Sequence, residues 1–215
     1  MKALVIAAHP DDEVLGAGGT IAKHTQKGDE VAVVVVSEGA SSQYADLGMI
    51  QVRRKACKKA CKLLGVSKSY FFDLPDARLM ESGLVETTKV INGVMSEFLP
   101  NVVYAPDRSE LHMDHRIVHE SALIVTRPYL STFQKGAIYF YETSYLRYSP
   151  FMPTYYSDIS DYIDRKIEAF SFYDSEIEEF PHPRSVDLIR TLARIRGAEA
   201  GVQYAEGFVV GRSVW

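Results

Sequence analysis

Ala3-Leu4-Val5-Ile6-Ala7-Ala8-His9-Pro10-Asp11-Asp12-Glu13 is an unbroken apolar run that stops abruptly at histidine, proline and three acids. A continuous apolar run of this length predicts a strand buried on both faces, as in a parallel sheet covered by helices. Working outward, residues 14–27 predict a helix closed by Gly28, and residues 31–36 a second central strand in which five of six residues are valine. A helix over 49–64 ends at Gly65, a favoured residue just past a helix C-terminus. A short strand over 70–72, a helix over 84–98, a strand over 101–105 and a helix over 115–126 follow. Strand and helix thus alternate four times, which predicts an α/β three-layer sandwich with a mostly parallel sheet. Beyond Gly136 the pattern loosens: one strand over 137–141, a Tyr- and Pro-rich stretch to about 157, then amphipathic helices over 159–173 and 186–203.

The chain has 215 residues, 47% hydrophobic and 24% charged, which suits one globular domain over 1–215. Its net charge of -4 argues against nucleic acid as a partner, since phosphate binding favours a basic footprint. No stretch approaches the ~20 apolar residues of a membrane span. The apolar start lacks a signal-peptide cleavage pattern, so a soluble cytoplasmic protein is expected. Cys57 and Cys61, the only two cysteines, stand four apart on a helix and read as small core residues. Eight of the 13 tyrosines lie between Tyr139 and Tyr173. They suit a sugar-binding rim or a homo-oligomer contact, but the stronger expectation is packing of the C-terminal layer.

Ligands of open α/β sheets bind at the carboxyl ends of strands. The first strand ends in His9-Pro10-Asp11-Asp12-Glu13 and the fourth in Asp107 to His115, so three of six histidines fall there, each within three residues of an aspartate. Histidine and carboxylate from separate elements are what an open catalytic zinc site requires. A single such pair is more often a surface bond or a cap; two at strand ends are not. His112, His115 and His119 are all candidate ligands from the second cluster. A dinucleotide site at Gly16-Ala17-Gly18-Gly19, with Glu38 as the ribose acid, fits less well. The glycine spacing is wrong, and three acids in the turn would repel a pyrophosphate. These glycines are expected to let the first helix approach the sheet.

Ala8 to Glu13, followed by Gly16-x-Gly18-Gly19-Thr20, resembles the signature of the LmbE-like (PIG-L) de-N-acetylases. His112-x-Asp114-His115 is similar to that family's second motif. Arg53, Leu64-Gly65, Leu74-Pro75-Asp76 and the stretch from Gly197 to Phe208 agree further, so the likeness spans nearly the whole chain. Ala56 departs from the pattern, relatives often carrying glutamate there. The resemblance implies a Rossmann-like (LmbE-like) fold and a zinc-dependent amidohydrolase acting on a GlcNAc-type sugar or glycoconjugate. It also implies zinc ligands His9, Asp12 and His115, with Asp11 as general base. His112 would stabilise the oxyanion or protonate the leaving amine, with Asp114 orienting its ring; Asp114 also reads as an N-cap. Arg53 is a candidate sugar or phosphate contact, although Arg53, Arg54, Lys55, Lys58, Lys59 and Lys62 also read as a solvated basic face. Other readings are a metal hydrolase of another amide conjugate or a phosphoester, and a non-catalytic nucleotide- or sugar-binding domain.

Overall fold

A computed structural model describes residues 1–130, 133, 135–144 and 146–214. β1 (Lys2–Ala7), β2 (Glu30–Ser37), β3 (Lys68–Leu74), β4 (Val102–Pro106) and β5 (Ala137–Tyr141) pair in parallel. β6 (Tyr155–Asp158) and β7 (Ala205–Arg212) complete a seven-stranded sheet in the order β3-β2-β1-β4-β5-β7-β6. Among the described residues the α-helices are α1 (Asp12–Gln26), α2 (Gly48–Leu64), α3 (Leu79–Phe98), α4 (Met113–Val125), α5 (Ile163–Phe170) and α6 (Val186–Ala200).

The alternation of side chains along the central strands explains the two buried faces. Ala3, Val5, Ala7, Val31, Val33 and Val35 face α1, α2 and α5, while Leu4, Ile6, Ala8, Ala32, Val34 and Val36 face α3 and α4. The glycines of α1 act as expected. A Cβ built at Gly16 would lie 2.0 Å from the Tyr141 ring, so only glycine lets α1 approach the sheet there.

The sheet is parallel from β3 to β5, as expected, but mixed as a whole. β7 pairs antiparallel with both β5 and β6. Neither β6 nor β7 stands out in the sequence, because each depends on a partner strand distant in the chain. The helix expected over 159–173 is shorter, since Ser160 bonds Asp158 and the chain turns before Ile163. α3 begins earlier than expected and is broken at Gly83, whose φ is 82. Cys57 and Cys61 are buried free thiols in the core, as expected. Among the clustered tyrosines, Tyr141 and Tyr173 are core residues whereas Tyr148 and Tyr155 are exposed; Tyr145 lies outside the described residues. Among the described residues no helix is long and apolar enough to cross a membrane.

Candidate metal centre

β1 lies between β2 and β4, so connections leave it in both directions along the sheet. That switch point opens a crevice above the strand ends. A cavity of about 590 Å³ occupies it, lined by His9, Asp12, Asp76, Glu110, His112, His115 and Arg184 among others.

His9 leaves β1 and is almost fully buried. Its Nε2 lies 3.1 Å from Asp114 Oδ2 and 3.2 Å from Asp76 Oδ1, while Nδ1 faces Asp12 Oδ2 at 3.6 Å. His115, in the first turn of α4, repeats the arrangement. Its Nδ1 lies 2.5 Å from Glu110 Oε2 and its Nε2 3.3 Å from Asp12 Oδ2. Glu110 is held in turn by the backbone N–H and hydroxyl of Thr143. Each histidine is thus backed by a carboxylate on one ring nitrogen and turns the other toward Asp12. Such backing is the usual support of a metal-bound histidine.

Burial disfavours charge on both rings, yet their carboxylate neighbours outweigh it. His9 is held well above its ordinary pKa by Asp114, Asp12 and Asp76, and His115 is raised to about 10 by Asp12 and Glu110. Asp12, despite its burial, is pulled well below the usual carboxylate range by His115 and His9. His112 adds a further nitrogen, since ring nitrogens of His9, His112 and His115 all lie within 4.8 Å of one another.

Asp11 is buried between these donors and a basic wall. Its Oδ2 lies 3.1 Å from Arg53 Nη2 and 3.7 Å from Arg184 Nη2, whereas the buried Oδ1 has no hydrogen-bond partner. Burial pushes the Asp11 carboxyl up, against the pull of Arg184 and Arg53. Its backbone adopts φ 124, ψ -29, a conformation rare for any L-residue and a form of strain that gathers at functional sites.

Three expectations need correction. Asp114 does not cap α4; His112 does, its Nδ1 accepting from the Asp114 backbone N–H at 3.2 Å. Nor does the Asp114 carboxylate orient the His112 ring, because it is bonded to His9 and to the Leu79 N–H. Burial and the charges on His9 and His115 lower His112 to about 4, outweighing Asp114. Arg53 does not belong to a solvated face: it is buried and lines the cavity. Its guanidinium donates to the carbonyls of Gly39 and Pro10 and to Asp11, and forms an ion pair with Glu176. The reason is helical spacing: Arg53 falls on the buried stripe of Cys57, Ala60 and Leu64, while Lys55, Lys58, Lys59 and Lys62 are exposed. That stripe was legible in the sequence.

Asp76 and Glu110 lie in stretches the sequence had marked, Leu74-Pro75-Asp76 and Asp107 to His115, whereas Glu176, in a short 3-10 helix, and Arg184, in a turn, carried no such signal. Glu176 joins Arg53, Arg184 and Tyr44. Glu13 accepts the Asp11 N–H at 3.1 Å and the Tyr173 hydroxyl. His119 faces away, its Nδ1 on the Pro106 carbonyl at 3.0 Å, which leaves it outside the cluster. Glu38 is spent on the N–H groups of Ala40, Ser41 and Asp76, so it is not a free ribose acid.

Residues 4–126 match the family PIG-L: GlcNAc-PI de-N-acetylase. Diacetylchitobiose deacetylase of Thermococcus kodakarensis is 30% identical over 96% of this chain and 81% of its own length. The structure of N,N'-diacetylchitobiose deacetylase from Pyrococcus horikoshii, in complex with an inhibitor, superposes with a TM-score of 0.82 at 29% identity. That match covers 97% of this chain and 83% of the other. The 4-oxalmesaconate hydratase of Pseudomonas putida is 26% identical over 96% of this chain and 87% of its own.

Proposed function

Because the chain belongs to the PIG-L (GlcNAc-PI de-N-acetylase) family, we propose that it removes the acetyl group from an N-acetylated amino sugar of the GlcNAc type. Acetate and a free amine are the products, and zinc is the cofactor. One observation carries the reading. His9, Asp12 and His115 converge from two adjacent strand ends, and beside them Asp11 keeps a buried carboxylate oxygen without a partner.

His9, Asp12 and His115 are assigned as the metal ligands. Zinc held there supplies a Lewis acid that acidifies water toward a pKa of ~7 and polarises an amide carbonyl. Asp11 is assigned as the general base, its Oδ1 receiving the proton of the attacking water while Arg53 fixes Oδ2. His112 is assigned to the oxyanion. Its Nδ1 accepts an N–H, so the neutral ring carries its proton on Nε2 and donates from there. This favours a neutral donor over an imidazolium. Asp114 and Glu110 hold the ligand rings, and Arg53 acts through Asp11.

The test is acetate release from N-acetylglucosamine and N,N'-diacetylchitobiose by metal-stripped and zinc-reloaded protein. Equal amounts of acetate and amine, restored by zinc, are expected. Failure of every N-acetyl sugar to yield acetate would overturn the reading. Addition of water to an unsaturated acid without acetate release would point instead to chemistry like that named for the Pseudomonas putida relative.

A further inference from the structure

A second cavity of about 270 Å³ adjoins the metal centre, and the two share Leu15, Thr143, Ser144 and Pro183. Several charged residues line it, yet they are engaged with one another. Lys166 Nζ donates to the Leu15 carbonyl at 2.7 Å and to Glu206 at 2.6 Å. Glu206 also accepts the N–H groups of Gly19 and Thr20. Glu142 is engaged by Arg196 and Arg147. The remaining lining is apolar, chiefly Leu15, Pro183, Leu188, Ile189, Leu192 and Ala193.

The scissile amide joins two unlike halves, and the two cavities differ in the same sense. The larger cavity offers polar groups to sugar hydroxyls, being lined by Ser42, Gln43, His182 and Arg184 among others. In the smaller one such hydroxyls would lose water without replacement, whereas alkyl groups gain by burial. The shared rim also lies against the metal donors. Leu15 is one turn beyond Asp12 on α1, and Thr143 bonds the Glu110 that holds His115.

We propose that this second cavity receives the acyl chain of the substrate, so that the protein deacylates amino sugars whose N-acyl groups are longer than acetyl. The inference rests on the de-N-acetylase reading above and extends its substrate class. The reaction is hydrolysis throughout: the C–N bond breaks, water oxygen joins the acyl carbon, and a proton goes to nitrogen, giving a carboxylate and an amine. An apolar cavity of about 150 Å³ admits benzene, so this one has room for an alkyl chain of roughly six carbons.

N-acetyl-, N-butanoyl-, N-hexanoyl- and N-octanoylglucosamine are assayed for amine release, and acetate through octanoate for binding by calorimetry. Both kcat/KM and carboxylate affinity should rise with chain length to about six carbons. The upper bound is about fourfold per buried methylene, from ~0.8 kcal/mol each. Leu192→Trp, at a half-buried position, should flatten both dependences, and Leu188→Trp serves should that variant fail to fold. Cleavage of acetyl but not hexanoyl substrate, or carboxylate affinity independent of chain length, would overturn the acyl cavity. Chain-length-dependent binding without any amine release would instead sink the deacetylase reading and leave the cavity assignment standing.

Discussion

Asp114 and His9, 105 residues apart in the chain, meet at 3.1 Å between Oδ2 and Nε2. The second sequence motif therefore supports a proposed ligand of the first. Asp114 also accepts the Leu79 N–H, which ties the start of α3 to the same point. Asp114→Asn should weaken zinc binding by about 10- to 100-fold, the usual cost of losing a carboxylate behind a metal-bound histidine. Competition against a fluorescent chelator measures this. Unchanged affinity would mean the contact does not support the metal.

Asp11→Asn should retain the metal, because Asp11 is outside the proposed ligand set, while turnover falls by ~10²–10⁴-fold. Elemental analysis and a kcat measurement on the same preparation decide it. Near-normal kcat with metal bound would assign the base elsewhere.

For His112 the neutral-donor assignment makes a different forecast from an imidazolium. Because its Nδ1 accepts the Asp114 backbone N–H, the ring donates from Nε2 as a neutral imidazole, so loss of its proton should not set an alkaline limb. His112→Ala should lower kcat by ~10²–10³-fold, the scale for losing an oxyanion donor. His112→Gln, which retains an N–H donor, should recover part of that loss. An alkaline limb of kcat/KM present in wild type and absent in His112→Gln would show that the proton itself matters.

Arg53→Met leaves Asp11 and Glu176 buried with less positive charge between them. Removing one partner of a buried ion pair costs about 3–5 kcal/mol. Tm should fall by roughly 10 °C, on the scale of 2–4 °C per kcal/mol for chains of this size. A calorimetric scan showing a shift under 3 °C would mean that Arg184 alone suffices.

Glu38 offers a pH-dependent test one step removed from the cluster, since it accepts the N–H of Asp76, which contacts His9. Burial raises its carboxyl, but the Ser41 hydroxyl and the N–H groups of Asp76, Ala40 and Ser41 outweigh it and lower the pKa. A depressed carboxyl contributes stability that is present above its unfolded pKa of ~4.3 and is lost as pH falls through its folded value. Glu38→Gln should therefore be less stable than wild type at pH 7 by about 1–3 kcal/mol, and the gap should narrow below pH 4. Urea unfolding at pH 7 and pH 3 measures it. A gap equal at both would assign the loss to shape rather than charge.

The sequence by itself determined the central sheet, because β1 and β2 are buried on both faces and their apolar runs need no context to be read. It also placed His9, Asp12 and His115 at strand ends, since each sits directly beyond such a run or at the start of the following helix. The stripe that buries Arg53 was present too, in the spacing of Cys57, Ala60 and Leu64. Only the tertiary structure decided the antiparallel edge, because β6 and β7 exist as strands through pairing with distant partners. The same holds for Glu176 and Arg184, whose isolated charges look like any solvated residue; Asp76 and Glu110 stood in stretches the sequence marked, but their contacts with His9 and His115 come only from the fold. Their roles come from folding, which removes water from these groups and leaves them only one another as partners.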